Sequence, residues 1–93
     1  MVHHLTITLG ATATAASPSR VPAREVWLES ETGNADVKIG DSTVTSTNYG
    51  KILTAGPTNA IVFRPPDGNL AINIETIYLL GTQNQKVHVL YFN

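Results

Sequence analysis

His4-Leu5-Thr6-Ile7-Thr8-Leu9 alternates apolar and polar residues without a break, and that alternation decides the fold class. Successive side chains on a strand point to opposite faces, so Leu5, Ile7 and Leu9 turn toward a core while the threonines stay wet. The same period recurs along the chain. In Arg24-Glu25-Val26-Trp27-Leu28-Glu29-Ser30 it places Val26 and Leu28 on one face and Glu25, Trp27 and Glu29 on the other. Thr32-Gly33-Asn34 is a turn signal, and Asp36-Val37-Lys38-Ile39-Gly40 reads as the returning strand of a hairpin.

Further strands are expected at Lys51–Thr54, Ala60–Arg64, Glu75–Leu80 and Lys86–Phe92, the last two forming a hairpin across Gly81-Thr82-Gln83-Asn84-Gln85. Ala11–Ala16 is a weak edge strand or an extended arm, because its alternation carries little bulk. Leu70–Ile74 fits either one helical turn or a strand. Ser17-Pro18-Ser19-Arg20-Val21-Pro22 and Pro65-Pro66-Asp67-Gly68-Asn69 break the pattern, since each proline removes a ladder donor. No segment sustains a 3.6-residue period. Seven to eight short strands at this spacing predict an all-β chain, an antiparallel β-sandwich of jelly-roll type, in one domain over residues 1–93.

A chain of 93 residues buries roughly 60–65% of the surface its unfolded form exposes. It has no cysteine, so neither disulfides nor thiolate metal sites supplement the core. Association with copies of itself or with a larger partner is the remaining common route to more buried area. Charged residues make up 14% of the chain, against about 25% in an ordinary domain. The net charge of −1 is spread singly, without the basic stripe that nucleic acid requires or the cluster that an anionic membrane attracts. The chain lacks both an apolar run long enough to span a bilayer and a signal-peptide core, so a soluble protein made in a cytoplasm is expected.

Catalytic chemistry finds little to work with. His3 and His4 point to opposite faces of a strand, so at most one of them can join His88, and zinc needs three or four converging ligands. Asp41 and Asp67 each sit alone beside a glycine, and a calcium loop needs several carboxylates at alternate positions. Asp41 is better read as accepting backbone N–H groups inside its own turn, and Asp67-Gly68 as a structural turn. No serine lies in a Gly-x-Ser-x-Gly elbow, and no Gly-x-x-x-x-Gly-Lys loop is present. We expect no enzyme activity, no metal and no cofactor. A cupin-like enzyme would need a His/carboxylate cluster that the sequence does not contain.

Contact residues are easier to nominate. Trp27 either plugs one end of the sandwich or stands exposed as an anchor, and Tyr49 closes the hydroxyl-rich loop Gly40–Gly50 as a second anchor. Thr12–Pro22, with Thr12, Thr14, Pro18, Val21 and Pro22, has too little bulk for a core. It reads as an arm that adds a strand to a neighbour's sheet edge, or as an ordinary surface connection.

From Val26 to Tyr91 the motifs follow a set order. A strand leads into the turn residues Thr32-Gly33-Asn34-Ala35, then Val37-Lys38-Ile39-Gly40-Asp41-Ser42 and the hydroxyl loop. Ile52-Leu53-Thr54-Ala55-Gly56-Pro57 comes next, then Ile77-Tyr78-Leu79-Leu80-Gly81-Thr82 and Gln85-Lys86-Val87. This order resembles small structural proteins of tailed bacteriophages, of the head decoration or cement kind. The resemblance implies a compact β domain that binds the major capsid protein on the virion surface and associates with itself, commonly as a trimer. It carries no residue-level role. The competing expectation is a tail or neck module that recognises a receptor or carbohydrate through clustered aromatic, Asn, Asp and Gln side chains.

Overall fold

The computed structural model describes residues 1–66 and 71–93. Among them, ten short strands and two single 3₁₀ turns account for the regular structure. The strands are β1 (Val2–Thr8), β2 (Thr14–Ala15), β3 (Pro22–Ala23), β4 (Glu25–Ser30), β5 (Val37–Gly40), β6 (Lys51–Leu53), β7 (Ile61–Phe63), β8 (Ile72–Asn73), β9 (Tyr78–Leu80) and β10 (Lys86–Phe92). The ladders between these strands are antiparallel, as the alternation requires. One four-stranded sheet has the order β1-β10-β4-β7, the other β2-β9-β5-β6, and β3-β8 forms a small third pair. The two large sheets enclose one core, in which Val26, Leu28, Val87 and Val89 of the first meet Val37, Ile39, Leu53 and Leu79 of the second.

The pairing has a simple rule. β1 pairs with β10, β2 with β9, β3 with β8, β4 with β7 and β5 with β6. The chain is therefore one long two-stranded ribbon whose tip is the hydroxyl-rich loop between β5 and β6. Two further ladders, β10 with β4 and β5 with β9, roll the ribbon into the two sheets.

Both expected hairpins are corrected by this order. The turn at Thr32-Gly33-Asn34 does reverse the chain, with Gly33 at φ 94°. However, the Asn34 side-chain amide donates to Ser30 Oγ and to the Lys86 carbonyl, both at 2.9 Å. These bonds bind the turn to the end of β10, and the chain leaves for the opposite sheet. Similarly, Gly81 begins a crossing, so β9 and β10 lie in different sheets. A β-carbon on Gly81 would come within 2.9 Å of Leu9 Cδ1 and 3.2 Å of Val37 Cγ2, so the crossing runs directly against the core.

The strand expected at Glu75–Leu80 begins only at Tyr78. Ile74–Thr76 is a 3₁₀ turn whose start is capped by Asn73, the side-chain oxygen of which accepts from the Glu75 N–H at 3.2 Å. Within Leu70–Ile74 the strand alternative holds for Ile72–Asn73, and Ile74 starts the 3₁₀ turn. Leu70 and the Asp67-Gly68-Asn69 part of the second break lie outside the described residues.

Candidate interaction surface

Alternation along β4 buries Val26, Leu28 and Ser30 and turns Glu25, Trp27 and Glu29 outward. Along β10 it buries Val87, Val89 and Tyr91 and turns out Lys86, His88, Leu90 and Phe92. The registers line these residues up across the sheet. His4 lies beside Leu90, Leu90 beside Trp27 and Trp27 beside Val62, giving one row across all four strands. The row above it joins Val2 to Phe92 and Phe92 to Glu25, and the row below joins Thr6 to His88 and His88 to Glu29. Trp27 is 38% exposed, Leu90 38%, Phe92 37% and Val2 54%, so this outer face presents a continuous apolar band. Trp27 is therefore an outward residue, and the core-plug alternative does not hold.

The indole is held in place. Its Nε1 donates to Glu25 Oε2 at 2.6 Å, and Arg64 Nε donates to Glu25 Oε1 at 2.7 Å. The Trp27 bond first, then Arg64, keeps the Glu25 carboxyl below its ordinary range. Lower on the face, His88 bridges Thr6 Oγ1 through Nδ1 at 3.2 Å and Glu31 Oε2 through Nε2 at 2.8 Å.

The second sheet has its own outward residues. Lys38 Nζ sits 5.1 Å from the centroid of the Tyr49 ring, and Tyr49 and Ile52 are both exposed. The neighbouring hydroxyl loop satisfies itself. Asp41 accepts from both the N–H and the hydroxyl of Thr43, which lowers its pKa as expected for a turn carboxylate. Thr45 Oγ1 accepts from the Asn48 N–H at 2.9 Å, and the Thr45 N–H donates to the Asn48 carbonyl at 2.8 Å. Val44 is buried against Gly40, pinning the loop to the end of β5. Trp27 lies on β4 of the first sheet and Tyr49 in the loop before β6, against Lys38 of the second, so the two do not form one aromatic platform.

Thr12–Pro22 is corrected from an arm to a stitched part of the domain. Thr14 and Ala15 pair with β9, and Pro22 pairs with Asn73. Ala16 is fully buried in the core, where its small side chain is the size that fits, and its N–H donates to the Ile77 carbonyl at 2.8 Å. Thr14 Oγ1 accepts from the Gly10 N–H at 3.0 Å and donates to the Thr12 carbonyl at 3.2 Å. The Val21 N–H donates to Asn73 Oδ1, and the Val21 carbonyl accepts from the Ile74 N–H. Main-chain groups that an arm would offer to a neighbour are used inside the chain, and Thr12 and Pro18 remain on its surface.

His3 and His4 do point to opposite sides: His3 stacks on Tyr91 at 5.1 Å between centroids, while His4 belongs to the outer row. Among the described residues no three His, Asp or Glu side chains converge. An open groove of about 750 Å³ runs between β1 and β2, lined by the hydroxyls of Thr6, Thr8, Thr14 and Ser17 with Glu75 and Tyr78. Among the described residues that line it, Glu75 is the one carboxylate. His4, Val2, Val62, Leu90 and Phe92 are not singled out by the sequence. The alternation in Lys86–Phe92 already separates Leu90 and Phe92 from the core side, but their alignment with Trp27 depends on a register between distant strands. Comparison of the chain with known protein families, curated proteins and solved structures found no match.

Proposed function

We propose that this protein is a non-enzymatic structural component that acts by packing against other protein, in its most specific form a decoration or cement protein on a bacteriophage capsid. One observation carries the reading. Both outer faces of the sandwich present large apolar side chains, Trp27, Leu90 and Phe92 on one and Ile52 with Tyr49 on the other. A monomer that exposes apolar residues on two opposed faces is suited to join two neighbours at once. The resemblance of residues 26–91 to phage structural proteins supports placing those neighbours on a virion, with the major capsid protein as one of them. In this reading the nested ribbon is a jelly roll, a fold whose two flat faces stay free for contact.

The mechanism is additive burial. Apolar area removed from water contributes about 25 cal/mol per Å², so each contact is modest and many repeated contacts raise the barrier to rupture of a closed shell. Association among docked copies adds avidity, because one bound copy raises the effective concentration of the next. The carbohydrate or receptor reading has less support, since Trp27 on β4 and Tyr49 in the loop before β6 do not combine into one aromatic patch. The test is quantitative mass spectrometry of particles from the source. Copy number in a simple ratio to the major shell protein supports decoration; a small number moves the protein to the neck or tail; absence from particles refutes the structural reading.

A further inference from the structure

The outer face of β1-β10-β4-β7 has a second property besides its apolar row. Its two central strands carry opposite chemistry. β10 presents Lys86, His88, Leu90 and Phe92, and β4 with the residue after it presents Glu25, Trp27, Glu29 and Glu31. The stripes lie side by side in register, His88 beside Glu29 and Leu90 beside Trp27, with the Glu31 N–H bonded to the Lys86 carbonyl. A two-fold axis that lies between two such faces and runs along β10 and β4 keeps each row at its own height and exchanges the stripes. Lys86 of each copy then opposes Glu31 of the other, which His88 of its own chain also holds, His88 opposes Glu29, Leu90 opposes Trp27, and Phe92 opposes Glu25, whose carboxylate Trp27 and Arg64 already bind. Three of the four rows are therefore complementary across the axis.

We infer that this face pairs with the same face of a second copy, making a two-fold dimer centred on Trp27 and Leu90. The arrangement puts an aromatic anchor at the middle and charge pairs toward one end, in keeping with the apolar centre and polar rim of specific interfaces. Sheets pack face to face with their strands within about 30°, a rotation that the long Lys86 and Glu31 side chains absorb. Strands of seven, seven, six and three residues, at about 4.8 Å between strands and about 3.3 Å per residue, give roughly 360 Å² per copy, about 730 Å² for the pair. That falls below the size of stable specific interfaces, in the range of weak, transient pairing, so the dimer dissociates on dilution. The pairing extends the packing reading above, replaces the trimer that the resemblance implies, and leaves the Ile52–Tyr49 face for a larger partner.

The test is sedimentation equilibrium of the full chain. Wild type is expected to show a reversible monomer–dimer equilibrium. Lys86→Glu and Glu31→Lys each put like charges across both symmetric contacts, and each is expected to weaken self-association at least tenfold. Mixed together, the two variants have only opposite charges across the interface, so a heterodimer of near wild-type affinity is expected. Mixing cannot repair an effect inside one chain, which makes this arm specific to the contact between copies. Circular dichroism confirms that each variant is folded, and Leu90→Lys serves as an independent disruption. A wild type that stays monomeric, a trimer as the smallest associated species, a dimer insensitive to the reversals (as pairing through the β1 edge would give), or failure of the mixture to associate would each overturn the inference. None of these depends on whether the protein occurs on a particle.

Discussion

Replacing Gly81 with alanine tests the packing of the point where the chain crosses between sheets. The new β-carbon would lie 2.9 Å from Leu9 Cδ1 and 3.2 Å from Val37 Cγ2. Neither neighbour has open space to retreat into, since Leu9 is 1% exposed and Val37 0%. Overpacking a filled core costs about 1–3 kcal/mol. Alanine also restricts the unfolded chain, which offsets about 0.4–1 kcal/mol. The net expectation is a loss of about 1–2 kcal/mol, or a fall in Tm of about 4–16 °C for a domain of this size. Thermal unfolding by circular dichroism and the urea midpoint measure it. A companion variant, Leu9→Val, shortens the side chain by one carbon and withdraws the Cδ1 methyl that the new β-carbon meets, and the double variant should cost less than the sum of the singles. Gly81→Ala with an unchanged or raised Tm, or strict additivity with Leu9→Val, would refute the packing argument.

Two more outcomes follow from the backbone and the carboxylates. Gly56 has φ 106° and ψ 154°, a region that side chains avoid, so Gly56→Ala should destabilise by about 1–3 kcal/mol in the same unfolding assays. Asp41 and Glu25 are both held below the ordinary carboxylate value, which is about 4. A depressed folded pKa gives stability that is present above the unfolded value and lost as pH falls through the folded one. The urea midpoint should therefore fall on acidification below about pH 4, and the gap between wild type and Asp41→Asn should narrow there. Both groups are exposed, so the effect is expected to be small and to shrink further in salt.

The sequence announces its strands more clearly than their partners. Leu5, Ile7 and Leu9 are assigned to the core side by alternation alone, which also puts Val26 and Leu28 on one face, and the structure packs all five in or against the core. Turn signals at Gly33 and Gly81 mark where the chain reverses. They do not reveal whether it stays in the same sheet, because that depends on contacts such as Asn34 to Lys86 that span half the chain. The Thr12–Pro22 segment misleads for a related reason. Small residues read as lacking core material, yet Ala16 and Ser17 are almost fully buried. Trp27 is legible as an outward candidate from alternation, but the row joining it to His4, Leu90 and Val62 exists only once the register is set.

The nested ribbon also bears on how such a chain finds its fold. Pairing Val2 with Phe92 directly would close a loop of nearly the whole chain, and all-β topologies with such distant contacts fold slowly. In a ribbon, however, the inner rungs shorten every later closure. Once β5 meets β6 across the tip, β4 and β7 are separated only by their connecting loops, and the same holds for each rung outward. The entropy of closure grows only logarithmically with loop length, so a sequence of short closures replaces one long search. The self-contained bonds of the hydroxyl loop, which look idle on the finished surface, hold the innermost of these closures.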